Sequence, residues 1–457
     1  MKKVSSRALF ALLLALILAA GMILFAVRYC LYAGQWAAFP GSPHLYSGQN
    51  LYGCTVSDRS DLLLLDSSDQ RSYSTDEGVR RAVLHLLGDR EGCISAPLLS
   101  AYADEMAGFD LVNGLYRRDT EPMQAKLTIC AQVQDAALRA LGTYSGTVGV
   151  YNYRTGEILC AVSSPSYDPD NVPDIENDTS GQYDGVYVNR FFDTTYTPGS
   201  IFKLVTAAAA LSELEGIEER TFTCTGQTIL GGQKIICSAE HGELSFQEAL
   251  AHSCNVAFGE IAQELGGKTL EKYAQKLGLT EHFSCDGFLS SAGKVETTGE
   301  EDGNVAWAGI GQYTDQVNAY AFLRFMGAIA GGGEAAEPYL MEQIRTQSRS
   351  VYAAQTESTP RLLSESVCEE LRRMMRNNVS EIYGDWQFGG LSVCAKSGTA
   401  EHEARAADAM FAGFVEGEEY PLAFVVFVEK GGSGSAVAAP IAAKVLESCV
   451  QVINSEK

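Results

Sequence analysis

Residues 391–429 read LSVCAKSGTAEHEARAADAMFAGFVEGEEYPLAFVVFVE and predict three β-strands. The apolar residues fall in three short runs, Leu391–Ala400, Ala409–Val415 and Leu422–Glu429, and polar or turn-forming residues separate these runs. Short runs rich in valine and phenylalanine are typical of buried strands. We therefore expect this stretch to form one part of a β-sheet.

An earlier hairpin and two helices complete the predicted domain. Residues 147–153 and 157–162 alternate as strands around the turn 154–156. Gln132–Leu141 has helical spacing, Pro440–Ile453 is an apolar helix, and the long section between the two groups of strands is rich in helix signals. The sequence predicts an α+β fold, in which terminal helices cover a five-stranded antiparallel sheet that an all-helical insertion interrupts.

The beginning of the chain predicts a membrane anchor. Ala8–Val27 is a run of 20 apolar or small residues with three basic residues before it. As a helix it would span about 30 Å, the thickness of the hydrocarbon layer. A cleaved signal peptide is the alternative, but its apolar region is usually about 7–15 residues long. Because basic flanks stay inside, we expect a cytoplasmic tail over residues 1–7, a single transmembrane helix over 8–28 and an extracytoplasmic remainder.

Length and charge limit the classes of protein to which the chain can belong. The 457 residues carry 34 basic and 57 acidic side chains, a formal net charge of −23, and 46% of them are hydrophobic. This composition is that of a folded chain with a sizeable core, and it lacks the basic footprint of a nucleic-acid partner. We assign residues 29–125 to a small juxtamembrane or pedestal region without evident chemistry, and residues 126–457 to the main domain.

The twelve cysteines would lie mostly outside the cell, where disulfides are favoured. Cys224 and Cys237 bracket the turn Gly231-Gly232 and are candidates for a disulfide across a hairpin. Several others fit small buried apolar residues, namely Cys130, Cys160, Cys394 and Cys449. The chain contains no C-x-x-C pair and no H-x-x-x-H, so these patterns give no support for a zinc site.

Three short motifs are candidates for chemistry, and the first is Ser200-Ile201-Phe202-Lys203. Pro198-Gly199 predicts a turn before it and an alanine-rich helix follows, so Lys203 would lie one helical turn from Ser200 on the same face. A serine becomes a nucleophile beside a base, and a lysine of lowered pKa can be that base. Taken alone, the spacing fits a capping serine and a surface lysine better.

The other two motifs are Ser253-Cys254-Asn255 and Lys396-Ser397-Gly398-Thr399. The first falls between helices predicted over 245–251 and 256–265, where its polar side chains could face one cleft or only cap a helix. The second lies in an apolar strand, and a lysine there indicates a sheet edge. Such an edge can bind an extended peptide as a further strand, although an edge lysine can also serve only against aggregation.

In this order the three motifs resemble the S-x-x-K, S-D-N and K-T-G motifs of penicillin-binding proteins and class A β-lactamases, although the second reads S-C-N here and the third K-S-G. Residues 151–170, YNYRTGEILCAVSSPSYDPD, and Gly309-Ile310-Gly311-Gln312 resemble further stretches of the penicillin-binding transpeptidases. The chain is most similar to their class B group, which is monofunctional and membrane-anchored. The resemblance covers about residues 126–450 and implies the fold shared by penicillin-binding proteins and serine β-lactamases.

The resemblance also implies an activity and a site. The chain would be a peptidoglycan D,D-transpeptidase that cross-links stem peptides through an acyl-enzyme, releases D-Ala and is inhibited covalently by β-lactams. The implied catalytic residues are Ser200 as nucleophile, Lys203 as base, Ser253, Asn255 and Lys396. The implied substrate-binding residues are Ser397, Gly398 and Thr399, with the backbone N–H groups of Ser200 and Thr399 as oxyanion hole. Neither a metal nor an organic cofactor is implied.

Partners and alternatives follow from the same resemblance. The expected partners are peptidoglycan stem peptides with a D-Ala-D-Ala donor and an amine acceptor, β-lactams, and a membrane glycosyltransferase of the SEDS type. A β-lactamase or β-lactam sensor of the same fold is one alternative, and a non-catalytic scaffold for cell-wall enzymes is another. The sequence leaves open whether the chain serves division, elongation or sporulation.

Overall fold

The computed structural model describes residues 2–37, 46–47, 50–51, 53–67, 71–107, 123–297, 299, 302–402 and 405–456. The chain begins with the long helix α1 (Lys2–Ala37). Its stretch Val4–Gly34 is long and apolar enough to cross a membrane, and no residue of its apolar 18-residue window is buried. A second helical stretch of suitable length and composition, Gly434–Ser455, is half buried in the folded domain and belongs to its core.

Short strands and helices follow α1. In chain order they are β1 (Tyr46–Ser47), β2 (Asn50–Leu51), β3 (Cys54–Ser57), β4 (Leu63–Asp66), β5 (Ser72–Tyr73), α2 (Glu77–Leu87), α3 (Pro97–Ala101), α4 (Ala103–Ala107) and β6 (Met123–Leu127). The Asp76 carboxylate caps α2 by accepting the N–H groups of Gly78 and Val79.

The central sheet confirms the predicted strands and their antiparallel arrangement. Helix α5 (Ala131–Leu141) precedes the hairpin of β7 (Gly146–Asn152) and β8 (Ile158–Ser164). The end of the chain supplies the remaining elements, β19 (Val393–Ala400), β20 (Asp408–Val415), β21 (Leu422–Val428) and α13 (Ala439–Ser455). The strand order is β19-β20-β21-β7-β8, so β19 is an edge strand.

The section between the two groups of strands is largely helical but also contains short strands. Its elements are β9 (Thr195–Tyr196), α6 (Lys203–Glu213), β10 (Thr221–Cys224), β11 (Gln227–Leu230), β12 (Gln233–Ile236), β13 (Gly242–Ser245), α7 (Phe246–Ala251), α8 (Asn255–Leu265), α9 (Gly267–Lys276), β14 (Ser284–Cys285), β15 (Phe288–Leu289), α10 (Asp302–Gly309), β16 (Val317–Asn318), α11 (Ala319–Ala330), β17 (Met341–Arg345), β18 (Ser350–Ala353) and α12 (Glu365–Asn378). The hairpin of β11 and β12 and the pair of β10 and β13 add to the predicted helical insertion.

Two hydrophobic cores lie on opposite faces of the central sheet because side chains alternate along each strand. Met410 and Ala412 of β20 belong to the core that contains α6 and α11. Phe411 between them belongs to the other core, which contains α5 and α13. The terminal helices therefore cover one face, as predicted, and the insertion covers the other.

A second sheet joins the first part of the chain to the insertion. Its strand order is β18-β17-β6-β3-β4-β5, with β3 and β6 parallel. Strands β17 and β18 come from the insertion, and the predicted boundary between residues 125 and 126 falls inside β6. The juxtamembrane region and the main domain thus share backbone hydrogen bonds.

Candidate active site

Ser200 lies in a tight helical turn, Gly199–Phe202, that leads directly into α6. Gly199 has φ +53°, and a Cβ added to it would lie 2.4 Å from the carbonyl oxygen of Thr399. Its N–H donates to the Gly311 carbonyl at 2.8 Å. Only glycine combines this backbone conformation with so close an approach. The turn can therefore hold Ser200 against the edge strand β19.

Lys203 is the first residue of α6 and is fully buried. Its Nζ lies 2.9 Å from Ser200 Oγ, 2.7 Å from Asn255 Oδ1, and 2.8 and 3.1 Å from the carbonyl and hydroxyl oxygens of Ser253. Burial, followed by repulsion from the Lys396 cation, holds the pKa of Lys203 well below its usual range. A neutral amine there can accept the proton of the Ser200 hydroxyl.

Ser253 and Asn255 lie at the break between two helices, as the sequence predicts. Helix α7 has a capping box between Ser245 and Glu248, and α8 begins at Asn255. Ser253 takes a left-handed conformation with φ +54°, which is uncommon for a residue other than glycine. The Asn255 side-chain amide donates to the Ile236 carbonyl at 2.8 Å, so its oxygen points toward the lysine of α6.

Lys396 is fully buried although β19 is an edge strand, because the Gly199–Phe202 turn and α12 pack against that strand. Its Nζ donates to Ser253 Oγ at 3.1 Å and to the Ser397 carbonyl at 2.9 Å. Burial lowers its pKa to about 7. The prediction of an edge strand is confirmed, whereas a lysine that only guards an exposed edge does not fit this burial.

The rest of the third motif continues along β19. Ser397 Oγ lies 2.9 Å from the hydroxyl of Tyr383, which also accepts the Ser397 N–H at 3.0 Å. The Thr399 side chain is exposed, and its hydroxyl accepts the N–H of Gly434 at 3.4 Å. A Cβ on Gly398 would meet the Pro198 carbonyl at 2.9 Å. These contacts place the strand beside the turn that carries the nucleophile candidate.

The structure thus brings together all eight residues that the sequence singled out. Three further groups contact these residues or the turn beside them, and the sequence did not predict them: the Tyr383 hydroxyl, the Ile236 carbonyl and the Gly311 carbonyl. Tyr383 ends the π-helical turn Val379–Tyr383, and no motif marks it in the sequence. Backbone carbonyls carry no residue signal, so only the fold could reveal the other two.

A serine and a lysine at a helix start, a polar break between helices and a lysine on a sheet edge define the class of penicillin-recognising serine proteins. Residues 146–447, more than half of the chain, match the penicillin-binding protein transpeptidase domain. The chain therefore belongs to the penicillin-binding protein transpeptidase family.

Named relatives are similar over most of the chain. The peptidoglycan D,D-transpeptidase PbpA of Mycolicibacterium smegmatis is 29% identical over 379 residues, which are 75% of this chain and 76% of that protein. The probable peptidoglycan D,D-transpeptidase FtsI of Caulobacter vibrioides is 29% identical over 362 residues, 71% and 58% of the two chains. The structure of penicillin-binding protein A from Mycobacterium tuberculosis as a ceftriaxone acyl-enzyme shares the fold. Its TM-score is 0.75 at 23% identity, over 87% of this chain and 98% of that one.

Proposed function

We propose that the chain is a peptidoglycan D,D-transpeptidase of class B that works through an acyl-enzyme on Ser200. The observation that carries this proposal is the contact of 2.9 Å between Ser200 Oγ and the Nζ of the buried Lys203. A serine in contact with an amine of lowered pKa has the base that it needs to become a nucleophile. The relatives named as peptidoglycan D,D-transpeptidases support the same reaction.

The acylation step uses the contacts around Ser253. Ser200 Oγ attacks the carbonyl carbon of the penultimate D-Ala, and its proton passes to Lys203 Nζ. The bond from that carbonyl carbon to the terminal D-Ala nitrogen then breaks. The leaving amine takes a proton, which the Ser253 hydroxyl relays, since Ser253 Oγ lies 3.1 Å from Lys203 Nζ. Asn255 holds the Lys203 amine in place, because its side-chain oxygen accepts a hydrogen bond from Lys203 Nζ.

Strand β19 and the Gly199–Phe202 turn that faces it would bind the donor stem peptide. The hydroxyls of Ser397 and Thr399 and the cation of Lys396 are assigned to the terminal carboxylate. The backbone N–H groups of Ser200 and Thr399 are assigned to the oxyanion. Each such donor typically lowers the barrier by about 2.7–4 kcal/mol.

Deacylation completes the cross-link. The amine of a neighbouring stem peptide attacks the ester carbonyl, an amide forms, and the Ser200 hydroxyl is restored. The apolar stretch Val4–Gly34 supports a single-pass anchor with an extracytoplasmic domain, where both peptides lie. The chain would then depend on a membrane glycosyltransferase of the SEDS type for its glycan strands, as the resemblance to class B proteins implies.

The test is intact-protein mass spectrometry of the full chain in detergent after incubation with benzylpenicillin. Two variants accompany it, Ser200→Ala and the matched control Ser212→Ala. Ser212 lies on the same helix α6, and its hydroxyl donates to the Ala208 carbonyl, away from Lys203. We expect a lasting adduct of one penicillin on the wild type and on Ser212→Ala, and none on Ser200→Ala.

Two other results would overturn the proposal. Turnover of penicillin without a lasting adduct would identify a β-lactamase. Neither adduct nor turnover, on a folded chain, would leave the non-catalytic scaffold. Formation of a cross-linked dimer from D-Ala-D-Ala donor peptides, lost in Ser200→Ala, completes the positive case.

A further inference from the structure

Four potential metal ligands lie together beside the candidate active site. They are Cys224, Cys237, His241 and Cys254, whose ligand atoms all fall within 4.8 Å of one another. They come from three segments: Cys224 ends β10, Cys237 and His241 lie between β12 and β13, and Cys254 lies at the break before α8. The proposed reaction uses none of these side chains.

Two distances within this cluster match those of a tetrahedral zinc ion. With Zn–S bonds of about 2.3 Å and Zn–N bonds of about 2.0–2.1 Å, a tetrahedron has S–S edges of about 3.8 Å and S–N edges of about 3.5 Å. Cys237 Sγ lies 3.8 Å from Cys254 Sγ and 3.4 Å from His241 Nδ1. A disulfide would need about 2.05 Å between sulfurs, and all twelve cysteines, each in the described part of the chain, are free thiols.

The surroundings suit negatively charged sulfur. All three cysteines are buried and His241 is half-buried. The N–H of Asn255 donates to Cys237 Sγ at 3.2 Å, and the N–H of Ala257 donates to Cys254 Sγ at 3.5 Å. Both donors belong to the first turn of α8, where the helix dipole favours negative charge. Such hydrogen bonds orient metal ligands.

We propose that Cys224, Cys237, His241 and Cys254 bind one Zn²⁺ in a closed structural site that holds the Ser253-Cys254-Asn255 segment in place. Three thiolates and one imidazole in a tetrahedron select zinc among common divalent ions, and they leave no open position for catalysis. The ion would fasten the hairpin of β11 and β12 to the start of α8.

The position of Cys254 makes this fastening relevant to the active site. Cys254 lies between Ser253, with its left-handed backbone, and Asn255. Asn255 also contacts the hairpin through the Ile236 carbonyl and through Cys237 Sγ. Binding of Cys237 and Cys254 to one ion would therefore fix the backbone next to Ser253 and Asn255, which both contact Lys203. Zinc binding does not depend on the proposed function, whereas its effect on acylation rests on it.

Sequence patterns did not show this site because its ligands come from three segments. The sequence contains Cys237-x-x-x-His241, but neither C-x-x-C nor H-x-x-x-H. Cys254, which belongs to the second motif, lies 17 residues after Cys237. The expectation of no zinc site is therefore replaced by this proposal. The disulfide between Cys224 and Cys237 that the sequence suggested would use two of the same thiols, so it is the alternative to zinc binding.

The first experiment measures metal content in the full chain, purified in detergent from cells supplied with zinc. Elemental analysis is done for the wild type, for Cys224→Ser and for the control Cys368→Ser, whose thiol is buried in α12 outside the cluster. We expect one zinc per chain in the wild type and the control, and none in Cys224→Ser. Replacement by Co²⁺ should give thiolate charge-transfer bands and tetrahedral d–d bands.

The second experiment measures the rate of acylation by benzylpenicillin before chelation, after chelation and after zinc is returned. A misplacement of about 1 Å can cost a hundredfold in rate, so we expect a loss of about that size which zinc reverses. Zinc binding without any acylation would support the site and overturn the proposed function instead.

Three results would overturn the zinc site. A wild type without zinc whose peptide map links Cys224 to Cys237 would establish the disulfide. A wild type without zinc, in which the three thiols and the imidazole are all unmodified, would show that the four residues form an ordinary cluster without a metal. Tightly bound iron in place of zinc would assign a different metal. Each of these uses only the wild type, so a Cys224→Ser chain that fails to fold leaves the decision intact.

Discussion

The Nζ atoms of Lys203 and Lys396 each lie 3.1 Å from the same hydroxyl oxygen of Ser253. Both lysines are fully buried, and two ammonium groups around one hydroxyl would repel each other. Burial lowers both pKa values, and the Lys396 cation further lowers that of Lys203. One lysine can thus be neutral and the other charged, with a hydroxyl between them that can accept from one and donate to the other.

This pairing predicts a bell-shaped pH dependence for acylation by benzylpenicillin. The rate constant should rise with pH as Lys203 loses its proton, well below the usual range for lysine. It should fall above about pH 7, where Lys396 loses the charge assigned to the carboxylate. Second-order acylation rates measured from pH 5 to 10 on the full chain would show both limbs.

Two substitutions at Lys396 distinguish its charge on the carboxylate from its effect on the pKa of Lys203. Both substitutions should slow acylation. Lys396→Arg keeps the charge at every pH, so the alkaline fall should disappear while the acid limb stays. Lys396→Met removes the charge, so the pKa of Lys203 should rise and the acid limb should move to higher pH. An acid limb that is unchanged in Lys396→Met would show that Lys396 does not control the protonation of Lys203.

The approach of the Ser200 turn to β19 predicts a large effect of Gly199→Ala. The new Cβ would lie 2.4 Å from the Thr399 carbonyl oxygen, and φ is +53°. The turn and the strand must therefore separate, and we expect acylation by benzylpenicillin to fall at least about a hundredfold, since a shift of about 1 Å has that cost. The change should be measured as an acylation rate together with a melting temperature.

Gly216→Ala is the matched control for this substitution. Gly216 has φ +71°, but its added Cβ meets no atom within 4 Å. It isolates the backbone strain, about 1–2 kcal/mol, from the collision with the strand. Equal losses of acylation in the two variants would contradict the assigned role of the close approach.

Tyr383→Phe tests the support of the carboxylate-binding strand. The substitution removes the hydroxyl that contacts Ser397 Oγ and leaves the Ser397 N–H without its acceptor. We expect weaker binding of the β-lactam with a smaller change in the maximal rate of acylation, because Tyr383 does not contact the nucleophile candidate. The control is Tyr320→Phe, since Tyr320 is also buried but donates to the Pro338 carbonyl instead. A loss of binding in both variants would indicate general destabilisation.

The sequence predicted those parts of the structure that local patterns encode. Strands β19, β20 and β21 are apolar runs of seven or eight residues with turns between them, so their existence could be seen without the fold. The three motifs likewise led to residues that the structure brings together. The interpretation of the three motifs as one catalytic site came from the resemblance to a known family, because each motif taken alone had an ordinary structural explanation.

The parts that the sequence did not predict depend on distant contacts. Strand β17 pairs with β6 across more than two hundred residues, and no local pattern marks such a pair. Burial of Lys396 depends on what covers the edge of the sheet, and propensity arguments treat an edge lysine as exposed. The cluster around Cys254 was hidden for the same reason, because its members meet only after three segments have packed.

Asp315 gives a prediction about stability. Its side chain is fully buried, and neither carboxyl oxygen has a hydrogen-bond partner among the residues that the structure describes. Burial raises its pKa well above the usual range. The native state therefore holds a proton that the unfolded chain releases near pH 4, and stability must fall as pH rises from about 4 toward the folded-state pKa. Each unit of that shift corresponds to about 1.4 kcal/mol.

Asp315→Asn removes this titration and should raise the melting temperature at neutral pH, with a gain that vanishes as the pH approaches 4. The comparison of the two proteins at each pH cancels the other titrating groups. Asp408→Asn is the contrasting control, because Asp408 is equally buried but accepts hydrogen bonds from His402, from Arg405 and from the N–H of Lys430. The same substitution there should destabilise the chain at neutral pH, since it weakens a satisfied network. A gain for Asp315→Asn that is constant across pH would mean that ionisation of this carboxyl is not the cause.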